Sequence, residues 1–415
     1  MKNDLPLKDI VILDFSWVIA GPFATRMLAD LGAQVIKVTS RNIDVTRPAA
    51  MRVGNADFRE EAGWLYNDLN HGKKNISLNL KSEMGRQIME ELVAKSDLVV
   101  CNYGKGAFHK LGLTYEELSK IKKDIIVVNA SGLGDDGPYS GFVTYAPVLQ
   151  ALTGIANLVG YEDETLPLEE YAPVADYIGG IAIANYLLAA LEWRRKTGEG
   201  QFIDLSRGEC SAIYLGPALL DMQSNDKKSG ALLGNRDWAG RAAPHNVYRC
   251  AGDRWCVIEV FTEEEWKNFC KVADPDGAWS ADPRFAALPQ RLQNVEALDA
   301  FVEQWTQQRT ADEVGDLLQA AGVAAAPVQS ARDCLTRDKH LQARGFFREM
   351  PFAPSDRRPE KFMVTGVQPH LADVEYPHTV SPAVCNGYDN VNVLSEFLGK
   401  TQEWIETAEK GGAFG

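Results

Sequence analysis

Over its first 135 residues the chain alternates strand-like and helix-like segments, and this alternation restricts the fold more than any other feature. KDIVILDFS (8–16) is a continuous apolar run, as a parallel strand shows when both faces are covered. GPFATRMLADLG (21–32) follows with helical spacing of Phe23, Met27, Leu28 and Leu31, and Gly32 stands where a helix would end. AQVIKVTS (33–40) and NISLNL (75–80) read as strands, with Ser82 as the N-cap of a helix over 82–96. DLVVCNY (97–103), TYEELSKI (114–121) and DIIVVNASGLG (124–134) complete a βαβαβ pattern. Such a chain folds as a mostly parallel sheet covered by helices, with ligands bound beyond the carboxyl ends of the strands. Those ends are Ser16-Trp17, Lys37–Arg41, Asn102-Tyr103 and Asn129–Gly134.

Further along, DYIGGIAIANYLLAALEWRRK (176–196) predicts a long helix closed by Thr197-Gly198, and QFIDLS (201–206) a strand. The stretch 222–245 is rich in Gly, Asn and charge and reads as a linker. A hairpin over 246–261 turning at Ala251–Asp253, helices near 262–273 and 295–320, and a short strand at 322–329 follow. Residues 225–330 are therefore expected to form a second, smaller α+β domain. The tail 345–415 carries extended stretches and ends in a helix, SEFLGKTQEWIETAEKG.

With 43 Lys+Arg against 57 Asp+Glu, the formal net charge of −14 argues against a nucleic-acid or anionic-membrane partner. Seven scattered Cys with no CxxC, and six His with no zinc spacing, argue for reduced thiols and no metal site. The N-terminus has no apolar signal core, and the longest apolar stretch, 179–191, is too short to span a bilayer. A cytoplasmic enzyme is expected.

Three local signals remain. Gly132, Gly134 and Gly137 form a literal G-x-G-x-x-G after a strand, but Asp135 and Asp136 inside it would repel phosphate and Pro138 follows instead of a helix, so it reads as a plain glycine loop. Asp176 opens a long helix with Gly179 and Gly180 in its first turns. It reads as a first-turn carboxylate satisfying the helix dipole, or as a nucleophile toward an activated acyl group. Lys37, Arg41, Lys73, Lys74, Lys105 and Lys110 gather near strand ends, as a solvated face or as a phosphate site.

DFSWVIAGPFATRMLADLGAQVIKV resembles the opening of the class III (CaiB/BaiF-type) coenzyme A transferases. The similarity continues through NHGKKNISLNL, LVVCNYGKGAFHKLGL, NASGLGDDGPYSG, VADYIGGIAIANYLLAALEWRRKTGEGQFIDLS and AGVAAAPVQSARDCLTRDKHLQARGFF, in order, across most of residues 5–350. The resemblance implies an α/β fold with a Rossmann-like parallel sheet: a large domain begun by residues 1–224 and completed by a return segment, 331–415, with 225–330 between. It also implies a dimer of interlocked protomers, either a homodimer or a heterodimer with a homologous subunit. Asp176 matches the family's catalytic aspartate. Lys73, Lys74, Asn102, Tyr103 and Lys110 match positions that hold coenzyme A, and Arg41 is a phosphate contact one residue from the family's usual cation. No permanently bound cofactor is implied, coenzyme A entering as the substrate thioester. Asp176 would form a mixed anhydride with the donor acyl group, then an aspartyl-CoA thioester from which the acceptor acid takes the CoA. Gly21 and the backbone at Gly132 are candidates for donating to the oxyanion.

Trp17 and Ile19 stand where oxalate-type members are polar, which implies a larger or more apolar acyl group. DWAGRAAPHNVYRCAGDRWCVIEVF and YAPVLQALTG look most like the succinyl-CoA:benzylsuccinate CoA-transferase branch. The expected reaction moves CoA from succinyl-CoA to a bulky or aryl-substituted dicarboxylate. Two other readings are a 2-methylacyl-CoA racemase and one subunit of a heteromeric transferase. A racemase would need an acid–base His and Asp where this chain has Gly141-Phe142-Val143.

Overall fold

The computed structural model describes residues 5–40, 63–161, 173–225, 234–351, 361–367, 369–372, 374–384 and 387–415. The chain divides into two units, one of Met1–Ala156, Glu170–Asn225 and Lys339–Gly415, the other of Asn157–Glu169 and Asp226–Asp338.

The first unit is built on six parallel strands: β1 (Val11–Asp14), β2 (Gln34–Thr39), β3 (Lys74–Ser77), β4 (Leu98–Cys101), β5 (Ile126–Asn129) and β6 (Gln201–Asp204). Their order is β3-β2-β1-β4-β5-β6, so the direction of winding reverses between β1 and β4. Strand side chains alternate between the faces. Leu13, Val99 and Val127 pack with Ile88, Met89 and Leu92 of α3 (Glu83–Ala94) on one side. Ile12, Val100 and Val128 pack with Ala24 and Leu28 of α1 (Ala20–Asp30) and with Ile183 and Leu187 of α7 (Val174–Thr197) on the other. Ser82 caps α3 as its position predicts, accepting from the Gly85 N–H at 3.0 Å.

Several short helices gave no legible periodicity: α2 (Trp64–Asn70), α4 (Lys105–Lys110), α6 (Ala146–Leu152), α8 (Arg207–Ala212) and α9 (Gly216–Asn225). The remaining helix of this part, α5 (Tyr115–Ile121), lies where TYEELSKI predicts it. The α7 helix is 24 residues long, which corrects the expectation from 179–191: by length and composition alone it could cross a membrane. Its buried Gly179, Gly180, Ile183, Leu187 and Ala190 instead make it one of the helices covering the sheet.

The C-terminal stretch closes the edge at β3. Asp389 accepts from the Asn75 N–H at 2.7 Å, Asn390 accepts from the Ser77 N–H at 3.0 Å, and the Asn79 N–H donates to the Ala413 carbonyl at 2.8 Å. These bonds satisfy an edge that would otherwise offer unpaired amides to another chain. The expected terminal helix is interrupted: a π turn, Val393–Phe397, gives way at Gly399 (φ +75°) to a helix over Gln402–Lys410 capped by Thr401.

The second unit has an antiparallel sheet of β7 (His245–Cys250), β8 (Arg254–Glu259) and β9 (Ala324–Pro327), the hairpin turning at 251–253 as predicted. Trp266, Phe269, Phe285, Leu298, Val302 and Trp305 fill its core. The single helix expected over 295–320 is two, Val295–Thr306 and Ala311–Ala320. Thr310 and Glu313 form a capping box that starts a new helix and overrides the continuous apolar spacing.

Candidate active site

The loops after β1 and β4 meet at the reversal of strand order, where sheets of this winding hold ligands. The side chain of Asn102 spans the gap: its Oδ1 accepts from the Trp17 N–H at 3.0 Å and its Nδ2 donates to the Trp17 carbonyl at 2.7 Å. Trp17 leans over Tyr103 with ring centroids 6.1 Å apart. The next residue, Val18, holds φ +64°, a left-handed conformation that a β-branched side chain resists. Such strain persists only where the surroundings over-determine the backbone. Here Asn102 grips Trp17 on both sides, and Lys37 donates to the Ser16 carbonyl at 2.7 Å. Gly21 then lets α1 begin hard against this loop, because a methyl group there would collide with the Ser16 side chain.

Beneath the loop lies a buried charge cluster. Asp14 accepts from Ser16, from Thr25 at 2.7 Å and from Lys73 at 3.0 Å, with the Lys37 ammonium 3.8 Å away. Burial by itself would raise the Asp14 pKa, but the two ammonium groups and the hydroxyls hold it well below the usual carboxylate range. Burial pushes the Lys73 ammonium down to about 7 against the pull of Asp14. Lys73 shares its three protons among Asp14, the Pro22 carbonyl (2.9 Å), Thr25 (2.8 Å) and Asn70 (2.9 Å).

Asp176 lies in the first turn of α7 and is only 3% exposed. It pairs with the guanidinium of Arg207, the first residue of α8, itself nearly buried. Burial raises the Asp176 pKa, and Arg207 opposes the shift. A reaction that uses the Asp176 carboxylate is therefore expected to lose rate in acid at a higher pH than a solvent-exposed carboxylate would dictate. Arg207 is tied to the end of β5 through Ser131, whose carbonyl accepts from the Arg207 N–H at 3.2 Å and from its Nε at 3.4 Å. The two glycines after Asp176 allow close packing on either side. A Cβ at Gly179 would come within 2.9 Å of the Arg207 stem, and one at Gly180 within 2.8 Å of Phe23 and 2.9 Å of the Ala20 carbonyl. Phe23 packs edge-on to Tyr177 at 4.9 Å. Asp176 is thus tied on one side to the ends of β5 and β6, and its helix on the other to the start of α1. Gly180→Ala is expected to push α7 off α1 and cost about 1–3 kcal/mol, read as a lower urea midpoint.

The other sequence-based candidates are placed as follows. Lys73 is buried, and Lys73 and Lys74 lead into β3 instead of following a strand, which corrects their expected position at strand ends. Lys74 is half-exposed, 4.0 Å from Glu396, and Lys110 is exposed at the end of α4. Ile19 is 7% exposed and so faces the interior. Gly132 packs on Thr144, and its carbonyl accepts from the Gly208 N–H at 2.9 Å. Arg41 lies outside the described residues. The glycine loop has no helix before Ala146, and its Asp135 N–H donates to Asp204 at 3.0 Å, an internal partner where a phosphate reading would want a free amide. Among the described residues no cluster of three or more His, Cys, Asp or Glu could hold a metal. Sequence reading missed Arg207; its signal was a cation directly after the QFIDLS strand.

Comparison with known proteins agrees with this architecture. The model of CoA-transferase family III matches residues 7–384. The chain is 32% identical over 97% of its length to a probable CoA-transferase of Mycobacterium tuberculosis, of which it spans 49%. It is 32% identical to an acetyl-CoA:oxalate CoA-transferase of Acetobacter aceti over 78% of this chain and 80% of that one. With a formyl-CoA:oxalate CoA-transferase of a Bradyrhizobium strain it shares 28% identity over 98% and 97% of the two chains. A solved CaiB/BaiF family protein from Brucella suis superposes with a TM-score of 0.76 at 28% identity, covering 89% of this chain and 97% of the other. The chain belongs to CoA-transferase family III, and so to the enzymes of the transferase class that work on coenzyme A thioesters.

Proposed function

We propose that the chain transfers coenzyme A from a donor acyl-CoA to an acceptor carboxylic acid, with Asp176 as the covalent nucleophile. The observation that carries this reading is a buried carboxylate paired with a guanidinium, beside the carboxyl ends of a parallel sheet. Burial strips water from the carboxylate and shields an anhydride from hydrolysis, while the Arg207 guanidinium favours the ionised form. The donor carbonyl is attacked by an Asp176 oxygen, the C–S bond breaks and CoA leaves as the thiolate. The thiolate then attacks the aspartyl carbon of the anhydride, the donor acid leaves as its carboxylate, and an aspartyl-CoA thioester remains. The acceptor carboxylate takes over the CoA by the reverse sequence. Each step exchanges activated acyl bonds of similar energy.

For CoA itself we assign the loops that carry Trp17, Asn102 and Tyr103, with Lys74, Lys110 and Arg41 as the cations toward the nucleotide. Lys73 is reassigned from phosphate contact to support of the loop, since its protons are already shared among four internal acceptors. Gly21 and Gly132 are proposed to let the backbone approach the reacting carbonyl. The aromatic pair Trp17 and Tyr103 supports a bulky acyl group, and we propose succinyl-CoA as donor with benzylsuccinate or a similar aryl dicarboxylate as acceptor. The exposed apolar side chains Tyr186, Leu188 and Trp193 of α7, with Ile213 and Leu220 beyond α8, support a second, homologous protomer as partner. The six described cysteines are free thiols, which supports a cytoplasmic setting.

The test is CoA exchange, followed chromatographically, from succinyl-CoA to benzylsuccinate, with oxalate as the competing acceptor. Formation of benzylsuccinyl-CoA is the expected result. Transfer to oxalate alone would retain the CoA-transferase reading and refute the acceptor.

A further inference from the structure

We propose that Arg207 recognises the substrate carboxylate: its guanidinium, paired with Asp176 in the resting protein, transfers to the carboxylate of the donor or acceptor acid while Asp176 is acylated. The inference rests on Asp176 being the nucleophile. In both covalent intermediates the side chain at position 176 is a neutral acyl group, whereas a guanidinium does not give up its proton. Acylation therefore removes the anion from a buried ion pair and leaves the cation behind, an arrangement that proteins strongly disfavour.

Arg207 cannot easily turn away into solvent when Asp176 is neutralised. Its own N–H and its Nε both donate to the Ser131 carbonyl, so root and head of the side chain are tied to one atom. Its stem lies across Gly179, where a Cβ would come within 2.9 Å of Cγ and 3.1 Å of Cδ. The guanidinium therefore stays beside the acylated side chain of Asp176. The anion produced there, as the thiolate displaces the donor acid from the anhydride, is a carboxylate. In the second half-reaction the acceptor carboxylate must arrive at the same carbon. One fixed cation thus pairs in turn with Asp176, the departing acid and the incoming acid, and a planar N–H fork suits each of them.

The experiment uses identity exchange, so that the natural acceptor need not be known: labelled succinate into succinyl-CoA, and labelled acetate into acetyl-CoA. It is run on the full chain and on Arg207→Gln and Arg207→Lys. In parallel, hydroxylamine traps the acylated Asp176 after mixing with acyl-CoA alone, across a range of pH. For Arg207→Gln the acid limb of trapping is expected to move to higher pH, because a buried carboxylate loses its cation. Once past that limb the hydroxamate still forms, yet the KM for the labelled acid rises about ten- to a hundredfold, the range for a lost charge-assisted hydrogen bond. Arg207→Lys keeps the charge but not the fork, so it shows the same rise at smaller size and serves if the glutamine variant does not fold. An unchanged KM for the acid with a lower kcat in both variants would overturn the proposal and leave Arg207 as a prop for Asp176, with the CoA-transfer reading intact. A wild-type protein that forms no hydroxamate and exchanges neither label would overturn the nucleophile reading and this proposal together.

Discussion

Asp176→Ala is expected to lower CoA transfer by about four orders of magnitude or more, the scale seen when a covalent nucleophile is removed. The hydroxylamine-trapped adduct should vanish with it. The same substitution leaves Arg207 as a buried cation with no anion, so about 3 kcal/mol of stability should be lost as well. The two effects separate in a double-mutant cycle. Adding Arg207→Leu to Asp176→Ala removes the stranded charge and should return much of the thermal midpoint, while activity stays lost. Turnover within tenfold of wild type in a folded Asp176→Ala protein would refute the aspartyl route.

The second large effect concerns folding. Asp14→Asn takes the carboxylate from between Lys37 and Lys73, both buried, and should destabilise the protein by about 3–5 kcal/mol near neutral pH. A lower urea midpoint with an unchanged slope is the expected reading. The pH dependence has a definite sign. The folded-state pKa of Asp14 is depressed below the ordinary aspartate value of 3.8, so its contribution is present above that value and is lost as pH falls through the folded pKa. The gap between wild type and Asp14→Asn should therefore narrow in acid. A gap that widens there, or a variant as stable as wild type near neutrality, would show that the cluster does not support the loop above it.

The strand–helix alternation was readable because strands covered on both faces must be apolar throughout, and VILD, QVIKVT, LVVC and IVVN are nearly so. Asp176 was readable as a first-turn carboxylate, and the two glycines after it as room for a close neighbour. The neighbour itself was not: Arg207 is 31 residues away, and nothing local says that its head returns to Asp176. The lysines show the converse. Lys73 looks like a surface cation beside Lys74, yet β3 turns one ammonium into the Asp14 cluster and leaves the other at the surface. The split of 295–320 was legible in Thr310 and Glu313 but was masked by apolar spacing that continues across the break.

By itself, then, the sequence determined the parallel sheet, the alternation of its strands and helices and the carboxylate at the head of α7, because period, capping and burial act over a few residues at a time. Only the tertiary structure decided which charges are interior and which are paired. Desolvation depends on everything packed around a group, and Asp14, Lys37, Lys73, Asp176 and Arg207 acquire their chemistry from neighbours distant in sequence.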